Sequence, residues 1–383
     1  MRPALTPPWT HPGFRLVCGG REWAWPDLSD LAASLSSGPL VAGGGDLPRL
    51  VATLVAGWQR EQPVALLRGG LPPPTAMTGR ERLLLLETSG TTGTPRRVTR
   101  PFDAVLAGIE ATRGAGGRWL LTYDPCGFAG LQVLLTAMRG GGTLLADPAA
   151  DVATLVRLAL EGGASHISAT PSFWRLLLLS GATPPLKRIT LGGEAADQPL
   201  LDALRARFPD VPLRCIYAGT EWGRLFTVAD GQAGFPARWL TDPPGPYSFR
   251  IRNDILQVRV GEAWQETGDL VEIVGDRVLF RGRNDLVINV GGAKVNPALV
   301  EARLLSLTGV SDAVAYGIPS PITGYLVAAD IVAPTWEGDD GWRTRVQAAL
   351  SDLPPPSRPR RLRLLNQLPL SAAGKKRRLA EDA

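Results

Sequence analysis

Histidine is almost missing from this 383-residue chain: His11 and His166 are its two. A mechanism resting on a catalytic imidazole therefore has few candidates. Cysteine is as scarce. Cys18, Cys126 and Cys215 lie far apart, with neither the pairing of a disulfide framework nor the spacing of a metal site, so the expectation is a reduced, cytoplasmic protein. Long apolar runs are missing too: none approaches the roughly 18 residues of a membrane span. The opening MRPALTPPWTHPGF has one arginine, three prolines before residue 10 and no apolar h-region, which argues against a signal peptide. Excess charge is modest, at +5, and part of it sits in Lys375, Lys376, Arg377 and Arg378. A nucleic-acid footprint needs more clustering, interleaved with aromatics, so neither nucleic acid nor membrane is an expected partner.

What is present is a soluble, globular composition, 44% apolar and 20% charged, long enough for two or three domains. Apolar runs at Thr143 to Ala146, Ser165 to Ser168, Arg188 to Leu191 and Leu213 to Tyr217 predict strands. Helical patterns at Leu131 to Met138, Val152 to Leu160, Ser172 to Leu179 and Pro199 to Phe208 alternate with them. That rhythm predicts a parallel sheet with right-handed crossovers. After Ala218 the texture changes: Phe249 to Val260 and Leu270 to Arg283 read as hairpins, the second turning at Gly275-Asp276. A smaller α+β unit follows from Asn284, with helices near Pro297 to Leu305 and Trp342 to Leu350 and strands near Ala313 to Tyr316 and Leu326 to Val332. Leu353 to Pro359 is proline-rich and reads as a linker into the basic tail.

The stretch LLLLETSGTTGTPRRVTRP, Leu83 to Pro101, delivers a polar loop from a short buried strand at Leu83 to Leu86. Thr88, Ser89, Gly90, Thr91, Thr92 and Gly93 offer backbone N–H groups and hydroxyls, and Arg96 adds a cation, a composition suited to cradling phosphate. The Walker A pattern is not met, because no Gly-Lys-Ser/Thr follows at the required spacing. A lone loop of this kind also fits a simple surface turn.

It is not alone. Tyr217-Ala218-Gly219-Thr220-Glu221 follows a predicted strand; Thr267-Gly268-Asp269, Gly282-Arg283-Asn284-Asp285, Gly291-Gly292-Ala293-Lys294-Val295 and Leu368-Pro369-Leu370-Ser371-Ala372-Ala373-Gly374-Lys375 follow in order. In this order the stretches resemble the signature motifs of the adenylate-forming superfamily of acyl-CoA synthetases, nonribosomal adenylation domains and luciferases, over Leu83 to Arg378. The resemblance implies a layered α/β N-terminal domain with a β-rich part over residues 1–282, a hinge at 283–287, and a small mobile α+β lid at 288–383. Only 87 residues precede Thr88, fewer than most members have, so the front of the large domain is expected to be shortened.

Carried over residue by residue, the resemblance implies that Thr88 to Gly93 wraps the β- and γ-phosphates of ATP, with Arg96 where relatives usually have lysine. Tyr217 would stack on adenine, beside Ala218 and Gly219; Thr220 would meet the α-phosphate; Glu221 would hold Mg2+. Asp269 and Arg283 would take the ribose, Gly193 and Glu194 would border the nucleotide, and Lys375 would bridge the substrate carboxylate and the α-phosphate. Plainer readings stand beside these: an exposed loop acid for Glu221, a turn residue for Asp269, a solvated tail for Lys375 with Lys376 as neighbouring competitor. The Leu-Pro-x-Ser-x-x-Gly-Lys frame favours Lys375. Leu286 falls where the family commonly has Asp or Lys at its hinge.

Tyr123 to Gln132 matches the acyl-pocket segment, and its AGLQVL core looks like o-succinylbenzoate-CoA ligases. Gly127, with Phe128, Gly192 and Gly193, would line that pocket. Amino-acid-activating relatives carry aspartate at the Gly127 position, so a free amino acid is not expected, since its buried ammonium would lack a partner. A glycine imposed by a backbone turn is the alternative. The expected activity is ATP-dependent formation of an acyl adenylate from an aromatic or apolar acid, then transfer to coenzyme A. A carrier-protein phosphopantetheine or an amine is the alternative acceptor, and a regulator that binds nucleotide without turnover the remaining one. A homodimer is left open. His166 reads as a structural strand residue, and Cys126 and Cys215 as small buried apolar groups.

Overall fold

The computed structural model describes residues 6–74, 77, 79, 81–88, 96–109, 116–371 and 374–378. Its architecture is mixed α/β, and the apolar runs singled out above are its central strands. Arg118–Leu121, Thr143–Ala146, His166–Ala169, Arg188–Gly192 and Leu213–Gly219 all run parallel in one eight-stranded sheet. Their leucines and isoleucines are buried, Ile216 in part, as strands covered on both faces require. Gly223–Val228 closes one edge antiparallel to Leu213–Gly219. At the other, Arg15–Cys18 lies parallel to Thr143–Ala146 and carries Arg21–Ala24 outermost.

The crossover helices are Phe128–Arg139, Val152–Glu161, Pro171–Leu179 and Gln198–Arg207. Local chemistry sets where two of them begin. The Asp151 carboxylate accepts the Thr154 N–H at 2.8 Å, and the Thr170 hydroxyl accepts the Phe173 N–H at 3.2 Å with Pro171 at the first helical position.

A four-stranded sheet holds Leu40–Gly43, Val64–Leu67 and Leu83–Thr88 in parallel, with Arg96–Pro101 antiparallel to the last. Helix Leu47–Arg60 packs beside it, started by the Asp46 carboxylate on the Arg49 N–H, with Leu50, Val51, Leu54 and Val55 wholly buried. No element upstream of Leu83 was expected; these strands are four residues long and set among glycine and proline, too short for a period to show.

The β-rich part is an antiparallel sheet in the order Phe235–Pro236, Arg277–Arg283, Ala263–Val274, Ile255–Val260, Phe249–Arg252, with the Gly275-Asp276 turn where it was expected. The last sheet pairs Asp312–Ser320 with Gly324–Val332 and includes Ile288–Val290 and Ala293–Val295, flanked by helices Pro297–Leu305 and Trp342–Ala349. One expectation is corrected here. Leu353 to Pro359, read as a linker into the basic tail, leads instead into a strand: Arg361–Leu365 pairs parallel with Gly324–Val332 and buries Leu362.

By contacts the chain divides into two units. One comprises Met1–Glu194, Leu201–Gly231 and Ala372–Gly374; the other Ala195–Leu200, Gln232–Ser371 and Lys375–Ala383.

Candidate active site

In the first unit the candidate residues gather at the carboxyl ends of parallel strands, where open α/β sheets expose loops to ligands. Thr122 and Tyr123 leave Leu121, Thr170 leaves Ala169, Gly192 ends its strand ahead of Gly193 and Glu194, and Tyr217 to Gly219 end theirs. Tyr123 donates its phenol to the Gly192 carbonyl at 3.2 Å, and burial pushes that phenol well above its usual range. The Glu194 carboxylate accepts both the N–H and the hydroxyl of Ser172, at 3.1 and 2.7 Å, in the first turn of Pro171–Leu179. The half-buried Tyr217 ring stacks on Phe226 with centroids 5.0 Å apart. A side chain on Gly219 would lie 2.7 Å from the Trp222 ring and 3.4 Å from a Glu221 carboxylate oxygen, so this turn closes tightly on itself; Glu221 is exposed. Gly374 belongs to the same unit, and its carbonyl accepts the Thr170 hydroxyl at 2.7 Å.

Thr88 and Arg96 face one another across an antiparallel pair. Ser89, Gly90, Thr91, Thr92 and Gly93 lie outside the described residues. Gly127 caps helix Phe128–Arg139 without offering a side chain. A Cβ there would sit 3.9 Å from the Arg68 guanidinium carbon. Arg68 is paired with Asp124 at 2.6 Å, and Asp124 also accepts the Cys126 N–H at 2.9 Å. Arg100, from the strand after the loop, donates to the Glu221 carbonyl. Sequence reading missed both arginines, since Arg68 lies in a stretch without a motif and Arg100 beside one that draws the eye, and only the chain's return brings them to Gly127 and Glu221.

In the second unit Asp269 and Arg283 are register partners on neighbouring strands and form an ion pair at 3.2 Å; Arg283 also pairs with Asp285 at 2.9 Å. Asp269 lies within the long strand Ala263–Val274, at an irregularity in its pairing, and not in a terminal turn. Gly268 has φ +78°, and a Cβ there would lie 2.8 Å from an Arg283 nitrogen. Only glycine suits both demands. Arg283 is followed by the single turn Asn284–Leu286, which holds Leu286.

The basic tail is organised. Leu370 and Lys376 form an antiparallel bridge, the Ser371 N–H donates to the Lys375 carbonyl at 2.7 Å, and the Arg377 N–H donates to the Pro369 carbonyl at 2.9 Å. Lys376 is turned inward, its ammonium 2.6 Å from Asp312 and 2.8 Å from the Ala313 carbonyl. Arg378 turns the same way, onto Glu301 and the Ala315 carbonyl. Lys375 and Arg377 between them are exposed. Extended chain sends alternate side chains to opposite sides. Lys376 is therefore an anchor, while Lys375 is exposed.

Of the residues set aside as structural, His166 and Cys126 are buried, whereas Cys215, expected to be buried, is only partly so. His166 lies in a strand, stacked on Trp119 with centroids 4.6 Å apart and its Nδ1 2.8 Å from the Ser165 hydroxyl; burial, then the nearby Arg188, Lys187 and Arg214, lower its pKa to about 4. Cys126 is wholly buried and its thiol is pushed up to about 12, chiefly by burial. Cys215 is half-buried. Among the described residues no three His, Cys, Asp or Glu side chains form a metal site by themselves, and no helix is long and apolar enough to cross a membrane.

Known proteins share this architecture. The chain is 26% identical over 360 residues to phenyloxazoline synthase MbtB of Mycobacterium tuberculosis, covering 80% of this chain and 24% of that one. It is 27% identical over 302 residues to a 2-succinylbenzoate--CoA ligase of Bacillus velezensis, covering 69% and 61%. It thus spans about a quarter of the first of these relatives and under two thirds of the second. Escherichia coli MenE with bound OSB-AMS superposes with a TM-score of 0.73 at 19% identity, covering 94% of each chain, a likeness of fold. The model of the AMP-binding enzyme family matches residues 40–261, more than half of the chain, and that of the AMP-binding enzyme C-terminal domain matches residues 299–375. On these grounds the chain belongs to the AMP-binding enzyme family.

Proposed function

We propose that this protein joins a carboxylic acid to AMP at the expense of ATP and then transfers the acyl group to the thiol of coenzyme A. In the first step a carboxylate oxygen attacks the α-phosphorus of ATP, the bond to the bridging oxygen breaks, and pyrophosphate leaves with the electron pair. In the second the thiol sulfur attacks the acyl carbon, AMP leaves, and the thiol proton passes to solvent. The nucleophile of the first step is already ionised, so positioning and positive charge are what the protein must supply. That suits a chain with two histidines, one of them buried in a strand.

The observation that carries this reading is the gathering of Tyr217 to Glu221 with Gly192 to Glu194 at the carboxyl ends of parallel strands, in a member of the AMP-binding family. Tyr217 stacks on adenine, Thr220 meets the α-phosphate, and Thr88 to Gly93 with Arg96 hold the outer phosphates. Asp269 accepts the ribose hydroxyls while Arg283 orients its carboxylate. Lys375 lies between the acid and the α-phosphate, carried there by movement of residues 288–383 about the turn at 283–287. Glu221 is a single exposed carboxylate, which fits a Mg2+ that arrives with its nucleotide, since this ion is ordinarily bound by one or two carboxylates together with phosphates and waters. When bound, Mg2+ neutralises phosphate charge.

The acid is not a free amino acid. Gly127 supplies no carboxylate, the neighbouring Asp124 is engaged by Arg68 and the Cys126 N–H, and the nearest cation repels an ammonium. The match to a stretch of a much longer synthase supports a second reading, in which a carrier-protein phosphopantetheine or an amine takes the acyl group. Mass spectrometry of the products with coenzyme A and with a holo carrier protein separates the two. The test of the whole is acid-dependent ATP–pyrophosphate exchange, expected to fall about 100-fold or more in Lys375→Ala. A broad panel of acids that gives no exchange while ATP binds normally would end the proposal.

A further inference from the structure

We infer that Thr170 is a positioning residue for the first step: its hydroxyl holds the Gly374 carbonyl and thereby sets where Lys375, the next residue, is presented. The inference rests on the adenylation reading above, but its observations are separate. Thr170 follows the strand His166–Ala169 and is buried, 1% exposed. Its hydroxyl lies 2.7 Å from the carbonyl of Gly374, 204 residues further along the chain, and 3.2 Å from the Phe173 nitrogen. A hydroxyl has one proton to give. The carbonyl only accepts and the Phe173 N–H only donates, so both contacts form together and fix the direction of that proton. Gly374, Thr170 and Thr122 belong to one unit. A Cβ on Gly374 would lie 3.6 Å from the Thr122 carbonyl oxygen and 3.6 Å from the Thr170 methyl carbon. The backbone at Gly374 thus rests against the ends of two neighbouring parallel strands, which the Thr122 hydroxyl ties together by donating to the Ser168 carbonyl at 2.7 Å.

The hold carries through to Lys375. Gly374 has φ +69°, a left-handed turn of the chain immediately before the lysine that only glycine makes without strain. Successive Cα atoms are about 3.8 Å apart, so a carbonyl fixed at Gly374 leaves the Lys375 backbone little freedom. On its other side the same backbone is tied to Ser371: the Lys375 N–H donates to the Ser371 hydroxyl at 3.3 Å, and the Lys375 carbonyl accepts the Ser371 N–H at 2.7 Å. A lysine stem is long and flexible, and fixing its root is what narrows the volume its ammonium sweeps. Capping helix Pro171–Leu179 is the competing role for Thr170. A cap alone would act on folding and be indifferent to Lys375.

The experiment uses the full chain as wild type, Thr170→Val, Thr170→Asp and Thr170→Ser. Valine removes the hydroxyl; aspartate keeps an acceptor for the Phe173 N–H but has no proton for the Gly374 carbonyl; serine keeps both. Limited trypsin digestion without ligands, read by mass spectrometry, follows cleavage after Lys375. Thr170→Val and Thr170→Asp should speed that cleavage about fivefold, the loss of one hydrogen bond, while Thr170→Ser keeps the wild-type rate. ATP–pyrophosphate exchange is then measured with benzoate, 4-hydroxybenzoate and hexanoate, in each variant and again with Lys375→Ala added. Thr170→Val and Thr170→Asp should lower kcat about 5- to 50-fold with the KM for ATP within about threefold. Once Lys375 is alanine, the same changes should alter the residual rate by no more than about twofold, since no ammonium is left to place. Wild-type cleavage in Thr170→Val, rapid cleavage in Thr170→Val but not in Thr170→Asp, or equal exchange losses with and without Lys375 each overturns the inference. If Thr170→Val does not fold, Thr170→Asp, which keeps the cap, decides both measurements. If no acid gives exchange in the wild type while Thr170→Asp speeds cleavage, the hold of Thr170 on Gly374 stands and the adenylation reading falls.

Discussion

Lys376 and Lys375 are neighbours of one type, and the structure requires that they behave oppositely when replaced. The Lys376 side chain is 12% exposed and that of Asp312 3%, with 2.6 Å between the charged atoms and a further hydrogen bond from the ammonium to the Ala313 carbonyl. Removing one member of a buried pair leaves the other uncompensated and costs about 3–5 kcal/mol. Asp312→Asn, which strands the ammonium, should sit at the upper end. Lys376→Met should cost somewhat less, because the Ala313 N–H still donates to Asp312 at 2.9 Å. Combining the two should cost clearly less than their sum, since the double variant has no orphaned charge, and the difference is the coupling that a double-mutant cycle reads. Lys375→Met, at an exposed position, should stay within about 0.5 kcal/mol of the wild type while losing pyrophosphate exchange. Because the chain has two units, a single melting temperature would blend them. Hydrogen exchange of amides in Asp312–Ser320 and Gly324–Val332 reads the relevant unit directly. Equal protection in Lys375→Met and Lys376→Met would refute the assignment of anchor and presented lysine.

Two further expectations follow from single sites. Gly268→Ala should cost about 1–3 kcal/mol through its left-handed backbone and, by pushing Arg283 aside, weaken ATP binding; a variant that melts and binds ATP like the wild type would contradict the geometry. His166 has a folded-state pKa near 4, below the value of about 6.5 expected when unfolded. The unfolded chain then takes up the proton first on acidification, so the contribution is fully present above about pH 6.5 and is lost as pH falls toward 4. His166→Gln should flatten the unfolding free energy across that window, and an unchanged slope would show that other groups govern it.

Legibility in the sequence followed the length of the local pattern. The run Thr143–Ala146 and the hairpin at Gly275-Asp276 stand out because three successive apolar residues after a β-branched threonine, or a Gly-Asp between alternating ones, leave few other readings. Helix Pro297–Leu305 was expected where it lies, and the structure starts it with Pro297 in its first turn and the Asn296 side chain accepting the Ala298 N–H. Arg361–Leu365 was hidden because prolines precede it and its arginines read as part of the basic tail, until pairing with Gly324–Val332 shows the strand. Among candidate site residues, those inside motifs could be named in advance. Arg68, Arg100 and Asp124 could not, since their meaning lies in which glycine or carbonyl they approach, and that is a product of the chain's return in space. The inward turn of Lys376 was equally silent, as four cations in a row carry no mark of which pairs with Asp312.

The placement of Arg15–Cys18 beside Thr143–Ala146 has a consequence for the order in which the molecule assembles. Leu16 meets Leu144 in register, although about 130 residues separate them, so an early stretch of the nascent polypeptide waits while the whole four-stranded sheet and its hairpin are made. Closing so wide a loop is entropically slow. Until it closes, the flank of Thr143–Ala146 stays uncovered, and the emerging protein passes through a stage at which another copy, or a chaperone, can take the place of its own beginning.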